Sequence, residues 1–317
     1  MRENSEPQGL RIQADDLKVD QSSALPVVVA IPCRNEERFI GSVVLKAKRY
    51  ASCVIVVDDG STDDSASIAE AAGARITRNK HAKGKGSAVN LALQEASRLG
   101  ANALILMDGD GQHDADEIPK LLKPIVEGHA DIAVGSRFLL RKNRIPKYRI
   151  LGQHILTFVT NLGSGIKLTD SQSGFRAFSR KAIRTLSLSE QGFAVESEMQ
   201  FQAKKEGLKV AEVPIITQYE NKEKRNPVAH GLGVLIRVLS LINQRHPLLC
   251  LSFPGAFLLL IGIGLGLIGL RNYSATTPLP LGQTFASALL CSIGLLALFT
   301  GITLYCLGIF LRRGERG

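Results

Sequence analysis

The sequence is poor in aromatic residues: its 317 residues include no tryptophan, and aromatic residues make up only 5% of the chain. Proteins that bind single-stranded nucleic acid stack the bases on aromatic side chains. We therefore expect no nucleic-acid partner, although the formal net charge of +10 would suit one. The same positive charge also suits a lipid headgroup surface or a phosphorylated substrate.

Several motifs of nucleotide-dependent enzymes are absent. The chain has neither a G-x-G-x-x-G after its first predicted strand nor a G-x-x-x-x-G-K-[ST] segment, which argues against a dinucleotide enzyme and a P-loop ATPase. The five cysteines form no C-x-x-C pair, and we interpret them as small buried side chains in a reducing compartment. Residues 1–25 contain no hydrophobic run and are predicted to be a flexible tail.

Short apolar runs alternate with helical patterns after this tail. Runs of this kind, ending at polar residues, are typical of strands buried on both faces of a parallel sheet. The alternation predicts an α/β domain whose sheet is covered by helices on both faces. Strands are expected at 27–31, 53–57, 74–78, 103–107 and 131–135, and helices at 36–49, 63–72, 86–99 and 117–127.

The C-terminal part of the chain has a different composition. Two stretches without charged residues, at about 248–270 and 281–311, are each long enough to cross a bilayer as a helix. A short polar turn joins them, so we predict a transmembrane hairpin over 247–317. Basic residues flank the outer ends of this hairpin, whereas the turn contains only Arg271. The positive-inside rule then places the large domain and both termini in the cytoplasm.

The remaining chain, 26–246, is predicted to be one domain with two helices at the membrane surface. Segments 149–162 and 228–244 each combine an apolar face with basic residues at its edges. Such helices lie in the plane of the lipid headgroups. Packing of both helices on the domain core is the alternative.

The strongest local signal is Asp108-Gly109-Asp110-Gly111-Gln112. Its two carboxylates follow a buried strand, and alternation in an extended segment would point both to the same side. Carboxylates held together repel each other, and a divalent cation such as Mg²⁺ or Mn²⁺ removes that conflict. A bound metal can also stabilise a diphosphate as it leaves. A solvated acidic turn is the alternative.

Three other polar segments have two interpretations each. Asp58 and Asp59 follow a strand and could accept hydrogen bonds from a base or ribose, or could simply begin a helix. The segment 83–87 (Lys-Gly-Lys-Gly-Ser) precedes a helix and could bind an anion, or could be a solvated basic turn. Residues 170–180 are rich in Gly and Ser and are expected to form a tight, charged loop.

Taken together, these segments resemble the family-2 glycosyltransferases, and most closely the branch that is similar to dolichyl-phosphate mannose synthase. The resemblance covers roughly residues 26–240. It implies a GT-A fold, which is a Rossmann-like and mostly parallel sheet with one nucleotide-sugar site. The matching segments stand in the order 31–37, 57–63, 83–84 with 88–89, 107–113, 135–138 and 170–178.

The resemblance also implies roles for individual residues. Asp108, Asp110 and Gln112 would hold the Mg²⁺ or Mn²⁺. The catalytic residues would be Asp110, Arg137 and Glu198, although Glu198 could instead be an exposed helix charge. The nucleotide-sugar would be contacted by Pro32, Arg34, Glu36, Asp58, Asp59, Lys83 and Asp108, and the acceptor phosphate by Arg137, Arg149 and Lys222.

The predicted function is transfer of a hexose from GDP-mannose or a UDP-sugar to a polyprenyl phosphate of the dolichyl type. The acceptor oxygen is already anionic, so the reaction needs no strong base, and in-line attack would invert the anomeric carbon. A processive polysaccharide synthase is disfavoured, because its Q-x-x-R-W segment needs the tryptophan that this chain lacks. A catalytically silent membrane protein on the same scaffold and a glycosyltransferase with another acceptor are the alternatives.

Overall fold

The computed structural model describes residues 26–79, 84–140, 147–188, 195–217, 248–271, 273 and 281–314. These residues belong to two compact units. The first unit contains a seven-stranded sheet and the helices that cover it. The second contains two helices from the middle of the chain and two long helices near its C-terminus.

The sheet of the first unit consists of the strands β1 Val27–Cys33, β2 Cys53–Asp58, β3 Arg75–Arg78, β4 Ala103–Leu106, β5 Ile132–Ser136, β6 Arg176–Ser179 and β7 Val210–Pro214. Their order is β3-β2-β1-β4-β6-β5-β7. Every neighbouring pair is parallel except those of β6, which is antiparallel to both β4 and β5. The sheet is therefore mostly parallel, as predicted.

The described helices are α1 Ile40–Ala47, α2 Ser65–Ala71, α3 Lys85–Arg98, α4 Ile118–Val126, α5 Lys147–Ser164, α6 Arg180–Thr185, α7 Val195–Lys205, α8 Phe253–Arg271 and α9 Leu281–Gly314. Helices α5, α7, α8 and α9 belong to the second unit, and the others belong to the first. The four helices predicted between strands are α1 to α4. Helix α1 begins at Ile40 and not at residue 36, because the intervening residues form a turn.

The core explains why the first strands could be predicted. Apolar residues of β1, β2 and β4, such as Val29, Ile55 and Leu104, are completely buried. β-Branched and other apolar side chains are favoured in strands that are covered on both faces. Helices α1, α3 and α4 present buried apolar residues to this sheet. Burial of these residues removes apolar surface from water and stabilises the layered arrangement.

The prediction of a tight loop for residues 170–180 is wrong for residues 176–179. Residues Arg176–Ser179 form β6, which lies between β4 and β5. Arg176 is only 1% exposed, and its Nε donates to the carbonyl oxygen of Ser173 at 2.9 Å. A four-residue strand that begins with a buried arginine has no apolar run to mark it. Strand β7 was not predicted either.

In the second unit, helix α5 carries polar side chains on its buried side. Thr157, Thr160 and Ser164 are at most 5% exposed. The Thr160 hydroxyl lies 3.0 Å from the Ser197 hydroxyl of α7, and Gln200 Nε2 of α7 donates to Ser164 Oγ at 3.0 Å. These hydrogen bonds compensate the loss of water around the buried polar groups.

The opposite side of α5 is apolar and exposed. Its exposed stripe consists of Leu151, Ile155, Phe158 and Leu162, whose exposures lie between 46% and 69%. These four residues recur at helical spacing, so they share one face. A helix in water normally shows the reverse arrangement, with apolar residues buried and polar residues outward. The stripe lies within the predicted interfacial segment 149–162, whereas segment 228–244 falls outside the described residues.

Helices α8 and α9 pack closely through glycine. A Cβ built on Gly255 would lie 2.7 Å from the carbonyl oxygen of Gly294, and one on Gly262 would lie 2.8 Å from the backbone nitrogen of Cys291. Ser287 Oγ donates to the carbonyl oxygen of Gly262 at 2.7 Å, and Gln283 Nε2 donates to that of Leu265 at 2.9 Å. Residues Phe253–Arg271 and Leu281–Leu307 are long and apolar enough to cross a membrane.

This packing predicts that Gly262→Leu separates the two long helices. A leucine side chain must displace the α9 backbone, and overpacking of this kind costs roughly 1–3 kcal/mol. We expect a lower midpoint of thermal unfolding in detergent, measured by loss of the monodisperse peak on size-exclusion chromatography. The matched control is Gly264→Leu, because nothing lies within 4 Å of a Cβ at Gly264. Equal midpoints for the two variants would contradict the helix packing.

Candidate active site

The candidate site lies at one edge of the sheet in the first unit. Strands β2, β1 and β4 are neighbours and run parallel, so their carboxyl ends meet at the same edge. Open α/β sheets bind ligands beyond this edge. The loops that leave it contain three predicted site segments, which begin at Arg34, Asp58 and Asp108.

The loops after β1 and β2 are joined to each other by hydrogen bonds. The backbone nitrogen of Asn35 donates to Ser61 Oγ at 3.1 Å, and the nitrogen of Thr62 donates to Asn35 Oδ1 at 2.8 Å. The nitrogen of Glu36 donates to Ser65 Oγ at 2.7 Å. Asn35 has a φ of 56°, a conformation that asparagine tolerates better than most residues. The turn that delays the start of α1 thus fixes the backbone of Glu36.

Cys33 lies under this turn and is only 3% exposed. Burial raises the pKa of its thiol to about 11, although a hydrogen bond with Ser65 opposes the rise. The neutral thiol is a poor nucleophile and a poor metal ligand. Cys33 therefore contributes packing, as predicted for this cysteine.

Asp58 and Asp59 are buried and form hydrogen bonds within the protein. Asp58 Oδ1 accepts from the backbone nitrogen of Ser61 at 2.9 Å. Asp59 Oδ1 accepts from Asn79 Nδ2 at 2.7 Å, and its Oδ2 accepts from the backbone nitrogen of Gly84 at 3.0 Å. Asp59 thereby links Gly84, the residue just before α3, to the end of β2 through a hydrogen bond.

Asp108 forms an ion pair that the sequence did not predict. Lys85, the first residue of α3, places its Nζ 2.8 Å from Asp108 Oδ1. The backbone nitrogen of Asp108 donates to His113 Nδ1 at 3.2 Å, and the His113 ring stacks on Phe175 with a centroid distance of 5.0 Å. Burial favours the neutral form of Asp108, but the positive charges near it, above all that of Lys85 and also that of Arg137, outweigh this effect and hold its pKa below the ordinary value.

Gly174 leaves the space in which this ion pair stands. A Cβ at Gly174 would lie 2.6 Å from Asp108 Oδ2 and 3.0 Å from Lys85 Nζ. Real side chains do not approach carboxylate oxygens this closely, so every other residue type would displace Asp108 or Lys85. Gly174 is therefore a candidate site residue whose steric role could not be recognised from composition, although it lies in the predicted segment 170–178.

Asp110 stands beside Asp108, but the two residues are not in a strand. Strand β4 ends at Leu106, and Gly109 and Asp110 form a turn, so the predicted alternation is wrong for this segment. Asp110 Oδ1 accepts from the backbone nitrogen of Gln112 at 3.0 Å. Burial and the negative charge of Asp108 raise the pKa of Asp110 above its ordinary value, and Glu36 adds to the rise. The carboxylates are close enough to repel, as expected.

This carboxylate pair fits a divalent cation that also binds substrate. Among the residues that the structure describes, no three His, Cys, Asp or Glu side chains converge into a complete metal cage. Mg²⁺ is commonly held by one or two carboxylates together with substrate phosphates and water. Asp108 and Asp110 supply such a partial set of hard oxygen ligands, and their mutual repulsion favours a cation between them.

The structure brings some predicted site residues together, while others belong to the second unit or lie outside the described residues. The charge of Arg137 lowers the pKa of Asp108, and the charges of Asp108 and Glu36 raise the pKa of Asp110. Pro32 lies in β1 and Arg34 is exposed just after that strand. Glu198 and Arg149 lie in the second unit, and the Arg149 side chain, Lys83 and Lys222 are outside the described residues. The role predicted for Lys83 stays a prediction, and the described lysine of the same Gly-rich segment is Lys85, which pairs with Asp108.

Comparison with known proteins gives consistent matches. Residues 28–187 match the sequence model of glycosyl transferase family 2. UDP-N-acetylglucosamine–dolichyl-phosphate N-acetylglucosaminyltransferase of Methanococcus voltae is 35% identical over 233 residues, which cover 66% of this chain and 91% of the relative. Polyprenol monophosphomannose synthase of Mycolicibacterium smegmatis is 27% identical over 203 residues, which cover 59% and 76%.

A solved structure shares the fold of this chain. The crystal structure of glucosyl-3-phosphoglycerate synthase from Mycobacterium tuberculosis in complex with Mn²⁺, uridine diphosphate and phosphoglyceric acid superposes with a TM-score of 0.57. The two sequences are 22% identical, and the match covers 69% of this chain and 79% of that one.

The hydrogen bonds of Asp59 predict a local effect of Asp59→Ala. The Gly84 amide and the Asn79 side chain would lose their acceptor, at a cost of roughly 1–3 kcal/mol. We expect faster hydrogen exchange at the Gly84 amide, measured by mass spectrometry or NMR. Asp64→Ala is the matched control, because Asp64 is exposed and its side chain forms no capping hydrogen bond. Unchanged exchange at Gly84 in Asp59→Ala would contradict the assignment.

Proposed function

The chain belongs to glycosyl transferase family 2, and we propose that it transfers a hexose from a nucleotide-sugar to a polyprenyl phosphate of the dolichyl type. It is a glycosyltransferase with the GT-A arrangement of a mostly parallel sheet. The observation that carries the proposal is the cluster of Asp108, Asp110 and Lys85 at the carboxyl edge of the sheet.

The acceptor is proposed from two independent supports. The names of the Methanococcus voltae and Mycolicibacterium smegmatis relatives identify dolichyl phosphate and a polyprenol as their substrates. This chain also contains two helices long and apolar enough to cross a bilayer, where a polyprenyl chain is dissolved. A membrane-anchored enzyme meets such an acceptor in the plane of the headgroups. Donor sugar and nucleotide base are open between GDP-mannose and UDP-sugars.

The residues of the first unit suit a reaction between two phosphorylated substrates. We assign Pro32, Arg34, Glu36, Asp58, Asp59 and Lys83 to the nucleotide-sugar, and of these Asp59 acts by fastening Gly84 at the start of α3. The charge of Arg137 lowers the pKa of Asp108, and we assign Arg137 to contact with substrate phosphate. Arg149 and Lys222 are assigned to the acceptor phosphate, and Glu198 is assigned to the catalytic residues together with Asp110 and Arg137. Preorganised cations of this kind stabilise developing negative charge without rearrangement during the reaction.

A divalent cation is proposed as the cofactor, held by Asp108, Asp110 and Gln112. The structural neighbour in complex with Mn²⁺ and uridine diphosphate supports Mn²⁺, and Mg²⁺ suits the same hard oxygen ligands. When bound, the metal would neutralise charge on the leaving diphosphate. The acceptor phosphate is anionic near neutral pH, so none of the protein side chains has to remove a proton from it.

The exposed stripe of α5 is proposed to contact the membrane. Its outward apolar residues and inward hydrogen-bonded residues suit an apolar environment outside the helix. Arg237 and Arg245 precede the first long helix and Arg312 and Arg313 occur at the end of the second, whereas the inner ends of the two helices carry only Arg271, the last residue of the first. We therefore propose that the catalytic unit and both outer ends of the hairpin face the cytoplasm.

The direct experiment is a transfer assay with the purified full-length chain. Radiolabelled GDP-mannose, UDP-glucose and UDP-N-acetylglucosamine are each incubated with dolichyl phosphate and Mg²⁺ or Mn²⁺, and lipid-extractable label is counted. One donor should give labelled lipid. A parallel incubation replaces dolichyl phosphate by a soluble sugar acceptor. If no donor labels the lipid but one donor labels the soluble acceptor, the polyprenyl-phosphate assignment is wrong.

Asp110→Asn should abolish transfer without preventing folding. Loss of one hard carboxylate ligand weakens metal binding and removes several kcal/mol of charge stabilisation, so we expect the rate to fall at least about 100-fold. The assay above measures the rate, and circular dichroism checks the fold. The matched control is Asp64→Asn, an exposed aspartate outside the site. Full activity of Asp110→Asn, or of the wild type in excess chelator, would refute the metal assignment.

Replacing Leu151 and Phe158 by serine should impair the use of long-chain acceptors in bilayers. Each side chain contributes roughly 1.5–3 kcal/mol when buried from water, so the apparent KM for dolichyl phosphate in vesicles should rise about tenfold or more. The KM for a short, soluble prenyl phosphate should stay unchanged. Val126→Ser is the control, because Val126 is equally exposed (64%) but belongs to α4 of the first unit. An equal loss with both acceptors would show that the stripe does not contact lipid.

A further inference from the structure

The ion pair between Lys85 and Asp108 raises a conflict with the proposed metal site. Lys85 Nζ stands 2.8 Å from Asp108 Oδ1, the distance of a charge-assisted hydrogen bond. The other oxygen, Oδ2, lies 2.6 Å from the position of a Cβ at Gly174. One carboxylate oxygen is therefore engaged by an ammonium group, and the other lies where a side chain at residue 174 would stand. A metal ion that binds Oδ1 of Asp108 must compete with Lys85 for this oxygen.

A divalent cation and an ammonium group compete for the same carboxylate. Both are positive, and two such charges on one oxygen repel strongly in a partly buried site. The side chains of Lys85 and Asp108 are 32% and 29% exposed, so water screens the repulsion only in part. A metal that takes Asp108 must therefore displace Lys85 or bind weakly beside it.

The surroundings of Lys85 provide another partner for its charge. Lys85 is the first residue of α3, and Gly84 before it has a φ of 98° and is held by Asp59 Oδ2. The N-terminus of a helix attracts anions such as phosphate. Lysine is a compact charge on a flexible stem, so it can move from a carboxylate to a phosphate over a short distance.

We propose that Lys85 is the counter-ion of Asp108 in the donor-free site, and that it gives up this carboxylate to the metal when a nucleoside diphosphate binds. The inference rests on the proposed metal dependence and adds a specific residue to it. Lys85 then suppresses metal binding in the absence of nucleotide. Metal and nucleotide consequently bind as a pair, and Lys85 couples the two events by exchanging one anionic partner for the other.

The test measures Mn²⁺ binding to the full-length protein in detergent by electron paramagnetic resonance. No acceptor is present, so no sugar is transferred during the measurement. In the absence of nucleotide, Lys85→Met should bind Mn²⁺ more tightly than the wild type, by a factor in the range of about 5–150 typical of coupling between sites. Lys85→Gln provides a second variant should Lys85→Met fail to fold. The matched control is Lys120→Met, which removes a lysine paired to Glu117 at 2.9 Å on α4.

A second arm uses uridine diphosphate and guanosine diphosphate as probes. Nucleotide should raise the Mn²⁺ affinity of the wild type more than that of Lys85→Met, because the variant has no ammonium group to move. At about 1 M salt, where the Debye length is about 3 Å, the difference between the nucleotide-free proteins should persist, since it reflects occupation of one oxygen. A difference that vanishes at high salt would reflect only the general field and would overturn the inference.

The outcomes separate this inference from the proposed function. Equal or weaker Mn²⁺ binding by Lys85→Met without nucleotide overturns the counter-ion role, while metal-dependent transfer by the wild type would still stand. If the wild type binds no Mn²⁺ even with nucleotide, the metal part of the proposed function fails and the role of Lys85 fails with it.

Discussion

The repulsion between Asp108 and Asp110 is the constraint around which the first unit is organised. Two carboxylates in a partly buried turn destabilise each other unless positive charge or hydrogen bonds compensate them. The structure supplies that compensation from several elements: Lys85 from the start of α3, the backbone of Gln112 and the space left by Gly174. A folded chain retains such a conflict only where the surrounding structure fixes it, which is typical of functional sites.

Much of the sheet could be predicted because its signals are local. Strands β1, β2 and β4 are continuous runs of apolar residues, and their burial on both faces produces that pattern. Strand β6 carries no such signal, since its position between β4 and β5 depends on pairing partners distant in sequence. From the sequence alone an arginine such as Arg176 is expected at the surface, whereas in the structure it is buried and donates to the carbonyl oxygen of Ser173.

The site was predictable in its residue types and less so in its contacts. The sequence identifies Asp108 and Asp110 as a pair, but it cannot reveal that Lys85 contacts Asp108. That contact depends on where α3 begins, and Lys85 is its first residue, next to the Gly84 amide that donates to Asp59. The contact of Gly174 with Asp108 likewise arises only when segments distant in sequence meet.

The second unit follows a different physical rule from the first. Many of its described polar groups bond to each other or to backbone carbonyls, as Thr160 does with Ser197 and Ser287 does with Gly262. Its large apolar side chains, such as Phe158 and Phe299, face outward. In lipid there is no water to satisfy polar groups, so they must be satisfied internally while apolar groups meet the solvent. The same arrangement in α5 and in the long helices is the one that an apolar environment favours, which supports the membrane contact proposed for the exposed stripe of α5.

The charges of the first unit also bear on how the proposed reaction selects its substrates. Both substrates carry phosphate, and a site with unpaired cations would hold inorganic phosphate or a single substrate without discrimination. If Lys85 is paired with Asp108 until substrate binds, as proposed, an anion must offer more than charge to separate them. A diphosphate bound together with a divalent cation would satisfy both partners at once, since the carboxylate would hold the metal and the ammonium group would hold the phosphate. On this proposal the carboxylate pair contributes to selectivity as well as to catalysis, because the charge of Lys85 would become available only to a metal-bound diphosphate.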